Sequence, residues 1–221
     1  MKKLIAVAIL FIAYNSNAQV TKNLGDFDTV KVFDQLNVKL ISSSENKIVI
    51  TGNRENEVEV LNKNGELKLR MPFPKLLSGN DITIKLYFKQ LESISASEGS
   101  FVSSDYIFKQ TSLDLNAKEG AQITVKLDVQ KAGVKLNSGG IIELSGKALN
   151  QDVVITSGGI LKAADLSTSQ TSISVAAGGN AEVNASTLVD AKVKAGGTIH
   201  IYGKPKQINK QTIIGGTITE E

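Results

Sequence analysis

The chain has 221 residues with 25 basic and 22 acidic groups, a net charge of +3, 5% aromatic residues, no tryptophan and no cysteine. The lack of cysteine excludes thiol catalysis, disulfides and thiolate metal sites. The near-balanced charge, with Arg54 and Arg70 as the only arginines, speaks against a nucleic-acid or phosphate-binding surface.

Residues 1–18 read as a signal peptide. Lys2 and Lys3 form the positive start, Leu4 to Ala13 the apolar stretch, and Ser16 and Ala18 the small residues before a cut at Gln19. The apolar stretch is too short to span a bilayer comfortably. Without Lys2 and Lys3 the count is 23 basic against 22 acidic groups, a net of +1. Export to the periplasm, the outer-membrane surface or the extracellular space is the expectation. No cysteine follows the cut, so that route to a lipid anchor is closed.

Residues 19–90 are expected to be a β region that caps a solenoid. Val30–Val32, Asn37–Ile41, Lys47–Ile50, Glu57–Leu61 and Glu66–Arg70 alternate apolar with polar residues, the period of half-buried strands. Ser42–Asn46 and Asn62–Gly65 separate them as turns. Pro72–Gly79 reads as a loop, because its two prolines do not fit a paired central strand. Phe73, Leu76 and Leu77 of that loop either tuck under the cap or stand exposed.

From residue 82 a repeat emerges, and 91–221 reads as a Gly-Gly array continuous with the cap in one domain. Ser138-Gly139-Gly140 is echoed at Ser157-Gly158-Gly159, Ala177-Gly178-Gly179, Ala195-Gly196-Gly197 and Ile214-Gly215-Gly216, with weaker copies at Glu98-Gly99 and Glu119-Gly120. The first glycines step by 21, 19, 19, 20, 18 and 19 residues. A period near 19 held over seven rungs signals a stacked array. Aligned on the glycines, Ala96, Ala117, Leu136, Ile155, Val175, Val193 and Thr212 form one column. Ile94, Leu115, Val134, Val153, Ile173, Ala191 and Lys210 form another. Both point inward. The fold class is therefore all-β, a single-stranded parallel β-helix with right-handed crossovers expected. Each rung should run strand, glycine corner, strand, second turn. Lys210 and Thr212 break the apolar columns, so the last rung is expected to fray.

One outward column holds Ser103, Thr124, Glu143, Lys162, Glu182, His200 and Thr219. Glu182 beside His200 admits acid–base chemistry. A ladder of alternating charges is the simpler reading, with Glu182 as the partner of His200. His200 is the only histidine, so a zinc site is unsupported. Asp105, Asp128, Asp152, Asp165 and Asp190 are read as lying at different offsets, with no stacked carboxylate cluster for calcium. Phe101, Tyr106 and Phe108 are expected to fill the wide end of the core. No catalytic, cofactor-binding or metal-binding residue is assigned.

The export signal, the Phe27-Asp28-Thr29-Val30-Lys31-Val32 opening, Val38-Lys39-Leu40 and Ile48–Gly52 resemble the start of one bacterial family. The Gly-Gly rungs and the closing Gly196–Pro205 segment resemble its remainder. It is the "putative auto-transporter adhesin, head GIN domain" family, long a domain of unknown function. The resemblance runs from about residue 26 to 218. Phe88-Lys89-Gln90-Leu91 lacks the proline common there. The resemblance implies a β-helix, an envelope or extracellular setting in a gram-negative bacterium, and a role in adhesion. It supplies no catalytic residue. The leading expectation is a non-catalytic exported protein that meets a surface glycan or protein. A self-associating envelope scaffold is the second reading, and a polysaccharide-active enzyme the third.

Overall fold

The computed structural model describes residues 19–221, and the signal-peptide reading of residues 1–18 lies outside them. The first eight strands are β1 (Gln19–Asn23), β2 (Thr29–Val32), β3 (Asn37–Ser42), β4 (Lys47–Gly52), β5 (Glu59–Lys63), β6 (Glu66–Arg70), β7 (Ile82–Phe88) and β8 (Ser93–Ala96). The long strands follow: β9 (Phe101–Lys118), β10 (Gln122–Asn137), β11 (Ile141–Ile155), β12 (Ile160–Val175) and β13 (Asn180–Ala195). β14 (Thr198–Tyr202), β15 (Gln207–Ile214) and β16 (Thr217–Glu220) complete the array. The strands join in one sheet wound round a continuous apolar core.

Both inward columns stack as their spacing predicts. Ala96, Ala117, Leu136, Ile155, Val175, Val193 and Thr212 are register partners in turn. Their apolar members are buried. Small and branched residues suffice because parallel rungs lie only about 4.8 Å apart, so each layer fills the gap left by the next.

The rung geometry begins before the glycines do. β2 pairs parallel with β8, and β3 with the start of β9, so Thr29–Ser42 is already a rung. Its corner, Asp34-Gln35, contains no glycine, yet both residues hold left-handed φ, 60° and 62°. The chain then leaves the stack. β6 and β7 lay a further parallel rung on the outer side of β2 and β3. β4 and β5 close that end as antiparallel partners of β7 and β6, and β1 adds to β4. Antiparallel strands end the parallel stack and cover its core, which the cap must do.

The glycine pair divides its labour. At Ser138-Gly139 both residues have positive φ, 47° and 74°, so the corner is a left-handed pair with glycine second. Gly140 serves a different need, because a Cβ there would lie 2.1 Å from the Ala117 carbonyl oxygen. The corners stack through backbone bonds. Gln35 N–H donates to the Glu98 carbonyl at 2.9 Å, Gly99 to Glu119 at 2.9 Å, Gly139 to Ser157 at 3.1 Å and Gly196 to Ile214 at 3.0 Å.

Three expectations need correction. The second turn of each rung is absent as a break. β9 to β13 run 15 to 18 residues, bending through register shifts rather than stopping. The last rung does not fray: β15 pairs with β13 and β16 with β14. Lys210 and Glu220 take inward-column positions there and bridge each other at 2.5 Å across the end of the core. The ion pair replaces apolar filling where water reaches the core. Phe101, third, is not part of the aromatic cluster. That cluster joins Phe88, Tyr106 and Phe108, with buried Phe88 and Phe108 stacked at 5.6 Å, while Tyr106 meets both edge-on and, at 40% accessible, does not fill the core either. Phe101 sits half-buried between Asn37 and Gln122 on the outer face.

Candidate functional site

The outward column falls in register from end to end. Thr124 pairs with Ser103 and Glu143, Glu143 with Lys162, Lys162 with Glu182, Glu182 with His200, and His200 with Thr219. Beside it the long strands bulge. Ser104–Tyr106, Ser145 and Ala164–Leu166 lie within the register shifts. A bulge bends its strand and re-aims its side chains. The result is a groove of about 330 Å³ whose charged lining is Asp105, Lys126, Glu143, Lys162, Asp165 and Glu182.

The charge ladder expected in this column does not form. Among the described residues, Glu143, Lys162 and Glu182 take no ion-pair partner, and neither do Lys126 and Asp165. Register sets backbone neighbours without bringing these side chains within ion-pair distance, and all five line the groove instead. Asp105 is the exception. Lys39 Nζ reaches its Oδ2 at 2.6 Å, and that bond holds the Asp105 carboxyl below its ordinary range.

His200 is paired, but not with Glu182. His200 Nδ1 lies 2.8 Å from Glu221 Oε1 and 2.9 Å from Thr219 Oγ1. The Thr219 hydroxyl also donates to Glu221 Oε1 at 3.1 Å. The bond from His200, then that from Thr219, lowers the Glu221 carboxyl below its ordinary range. The contact was missed because Glu221 reaches back from beyond the repeat, where column alignment gives no signal.

The aspartates also need correction. Asp152 and Asp190 share one column, Asp114–Gly133–Asp152–Ser172–Asp190. The repeat offset was the signal: each lies six residues before a corner glycine. Carboxylates two rungs apart stand about 9.6 Å from each other, too far to share one ion. Lys131 sits against Asp152 at 2.8 Å, and that bond raises its ammonium above the ordinary lysine range. Among the described residues no group of three His, Asp or Glu side chains is placed to hold a metal.

The Pro72–Gly79 loop stands exposed: Phe73 is 86% accessible, Leu76 51% and Leu77 54%. Asp34, fully buried below it, was not anticipated because its corner carries no glycine. Its carboxylate accepts the amides of Met71 and Leu77, each at 2.9 Å.

Fold and groove define a β-solenoid that offers a polar, mixed-charge channel on its flank. The chain belongs to the family described as "Putative auto-transporter adhesin, head GIN domain", whose model matches residues 26–205. A "putative adhesin" from Bacteroides fragilis has a similar crystal structure, with TM-score 0.83 and 21% identity over 93% of this chain and 98% of that one. A second, from Parabacteroides distasonis, gives TM-score 0.75 and 22% identity over 92% and 96%. A "Putative lipid binding protein" from Parabacteroides distasonis shares the fold at TM-score 0.67 and 17% identity, over 94% and 98%. At such identities the likeness is one of fold. No curated protein shows significant similarity to the chain. No helix among the described residues is long and apolar enough to cross a membrane.

Proposed function

We propose that this protein is an exported, non-catalytic β-solenoid that acts in adhesion or envelope interactions, with the bulge-lined groove as its contact surface. One observation carries the reading: five charged side chains, Lys126, Glu143, Lys162, Asp165 and Glu182, face a groove with no ion-pair partner among the described residues. A stability ladder would pair them. Mixed charges left open suit a polar ligand rich in hydroxyls and amides, such as a glycan or an extended peptide laid across the rungs. Membership of an adhesin-type family supports the same reading. A leader at residues 1–18 would supply the export route.

The catalytic alternative draws little support. His200 Nδ1 is already engaged by Glu221 and Thr219 and lies outside the groove lining. The test presents the purified protein with a panel of polysaccharides and matrix proteins and scores binding and product release together. Saturable binding without release is the expected result. Release of a cleaved product would overturn the non-enzymatic assignment.

A further inference from the structure

The stacked corners form one edge of the rod, and the two ends of that edge differ in a complementary way. At the first rungs Leu76 and Leu77 stand exposed beside the Glu98 and Glu119 corners, around a hollow of about 560 Å³. Glu98 has no cationic partner among the described residues, and Glu119 meets only Lys118, at 3.2 Å. Burial, then the neighbouring Asp34 carboxylate, pushes the Glu98 carboxyl above its ordinary range, so an incoming cation would be favourable there. At the last rungs the same edge carries Ile213 and Ile214, 56% and 72% accessible. Lys194 lies on the adjacent rung, exposed and without an ion pair among the described residues. One end is therefore apolar and acidic, the other apolar and basic.

The backbone ladder fixes the relation between them. Corner bonds run from Glu98 through Glu119, Ser138, Ser157, Ala177 and Ala195 to Ile214. Six rung steps make about 29 Å. Between the ends the corners present nothing larger than serine, and a Cβ on Gly139, Gly158 or Gly178 would meet nothing within 4 Å.

We infer that two copies of this chain associate side by side and antiparallel along this corner edge, each setting its Leu76–Leu77 end against the Ile213–Ile214 end of the other. Antiparallel packing satisfies both ends at once and closes as a two-fold dimer. A parallel pair would oppose like charges at each end. A strip about 29 Å by 10 Å covers roughly 300 Å² per copy, against about 800 Å² in a standard interface. The dimer is accordingly weak, and its formation depends on concentration and salt. The inference stands apart from the groove, which lies on another face, so either can fail alone.

Sedimentation equilibrium of the purified protein from micromolar to millimolar concentration tests it. The mass should rise toward twice the monomer and level there, with weaker association in high salt. Lys194→Glu, and separately Glu98→Lys with Glu119→Lys, should each remain monomeric with an unchanged circular dichroism spectrum. An equimolar mixture of the two variants should recover the dimer, because each end again meets its opposite charge. A wild-type mass fixed at the monomer overturns the inference. So does growth past the dimer, or a dimer that ignores both charge reversals.

Discussion

Asp34 Oδ1 accepts the amide of Leu77 at 2.9 Å, joining residues 43 positions apart in the chain. Its other oxygen accepts the Met71 amide, also at 2.9 Å. One buried carboxylate thus fixes both ends of the loop that crosses the first corner. It also holds Leu77 at φ 56°, a conformation that costs a branched side chain about 1–2 kcal/mol.

Asp34→Ala should therefore destabilise the protein by about 3 kcal/mol, since two charge-assisted bonds are lost and two amides are left without them. Urea denaturation measures the loss. Limited proteolysis should then cut first between Pro72 and Gly79. Equal protease resistance in variant and wild type would show that the loop is held by other contacts.

The two glycines of one corner should respond differently to the same change. Gly139→Ala meets empty space and bears only the cost of φ 74°, about 1 kcal/mol. Gly140→Ala forces a Cβ to within 2.1 Å of the Ala117 carbonyl oxygen, so the rungs must part, at a cost of about 3 kcal/mol. Thermal unfolding of both variants settles the order. A Gly139→Ala loss equal to that of Gly140→Ala would contradict this division.

Period and alternation made the solenoid readable. Each rung repeats the same inward residues, so columns such as Ile94, Leu115 and Val134 appear in the sequence before any geometry is known. What stayed hidden depends on departures from the repeat. Asp34-Gln35 makes a corner without glycine, because the buried carboxylate supplies bonds that favour the left-handed pair. Strand bulges at Asp105 and Asp165 move side chains between faces without changing composition, so the groove left no mark in the columns. Glu143, Lys162 and Glu182 were correctly placed in one column, but their failure to pair could not be read there.

Acid should act in opposite senses on two carboxyls. Burial and Asp34 raise Glu98, so its protonated form is favoured in the fold. Stability from this group is present in acid and lost as pH rises through its folded-state titration. Glu98→Gln should thus raise the melting temperature near neutral pH and give no gain in acid. Glu66 is lowered by bonds from Lys31 and Lys68, so its contribution is present near neutrality and lost as pH falls. That contribution is small, because the pair is partly exposed. Melting curves of Glu98→Gln and Glu66→Gln across pH should diverge in these directions.

The His200 contact gives a spectroscopic prediction. His200→Phe should return the Glu221 carboxyl toward its ordinary titration, while Glu182→Ala should leave it unchanged. Carboxyl-carbon NMR titration reads both. A Glu221 shift caused by Glu182→Ala would restore the column pairing that the structure replaces.

The most direct test of the proposed contact groove reverses its two lysines, which take no ion-pair partner among the described residues. Lys126→Glu with Lys162→Glu should lower melting modestly, since Lys162 stands in register between Glu143 and Glu182, with an unchanged circular dichroism spectrum, while reducing affinity at least tenfold, about 1.4 kcal/mol, for whichever panel glycan or matrix protein the wild type binds. Unchanged affinity in the double variant, or no saturable binding by the wild type to any panel member, would contradict the account.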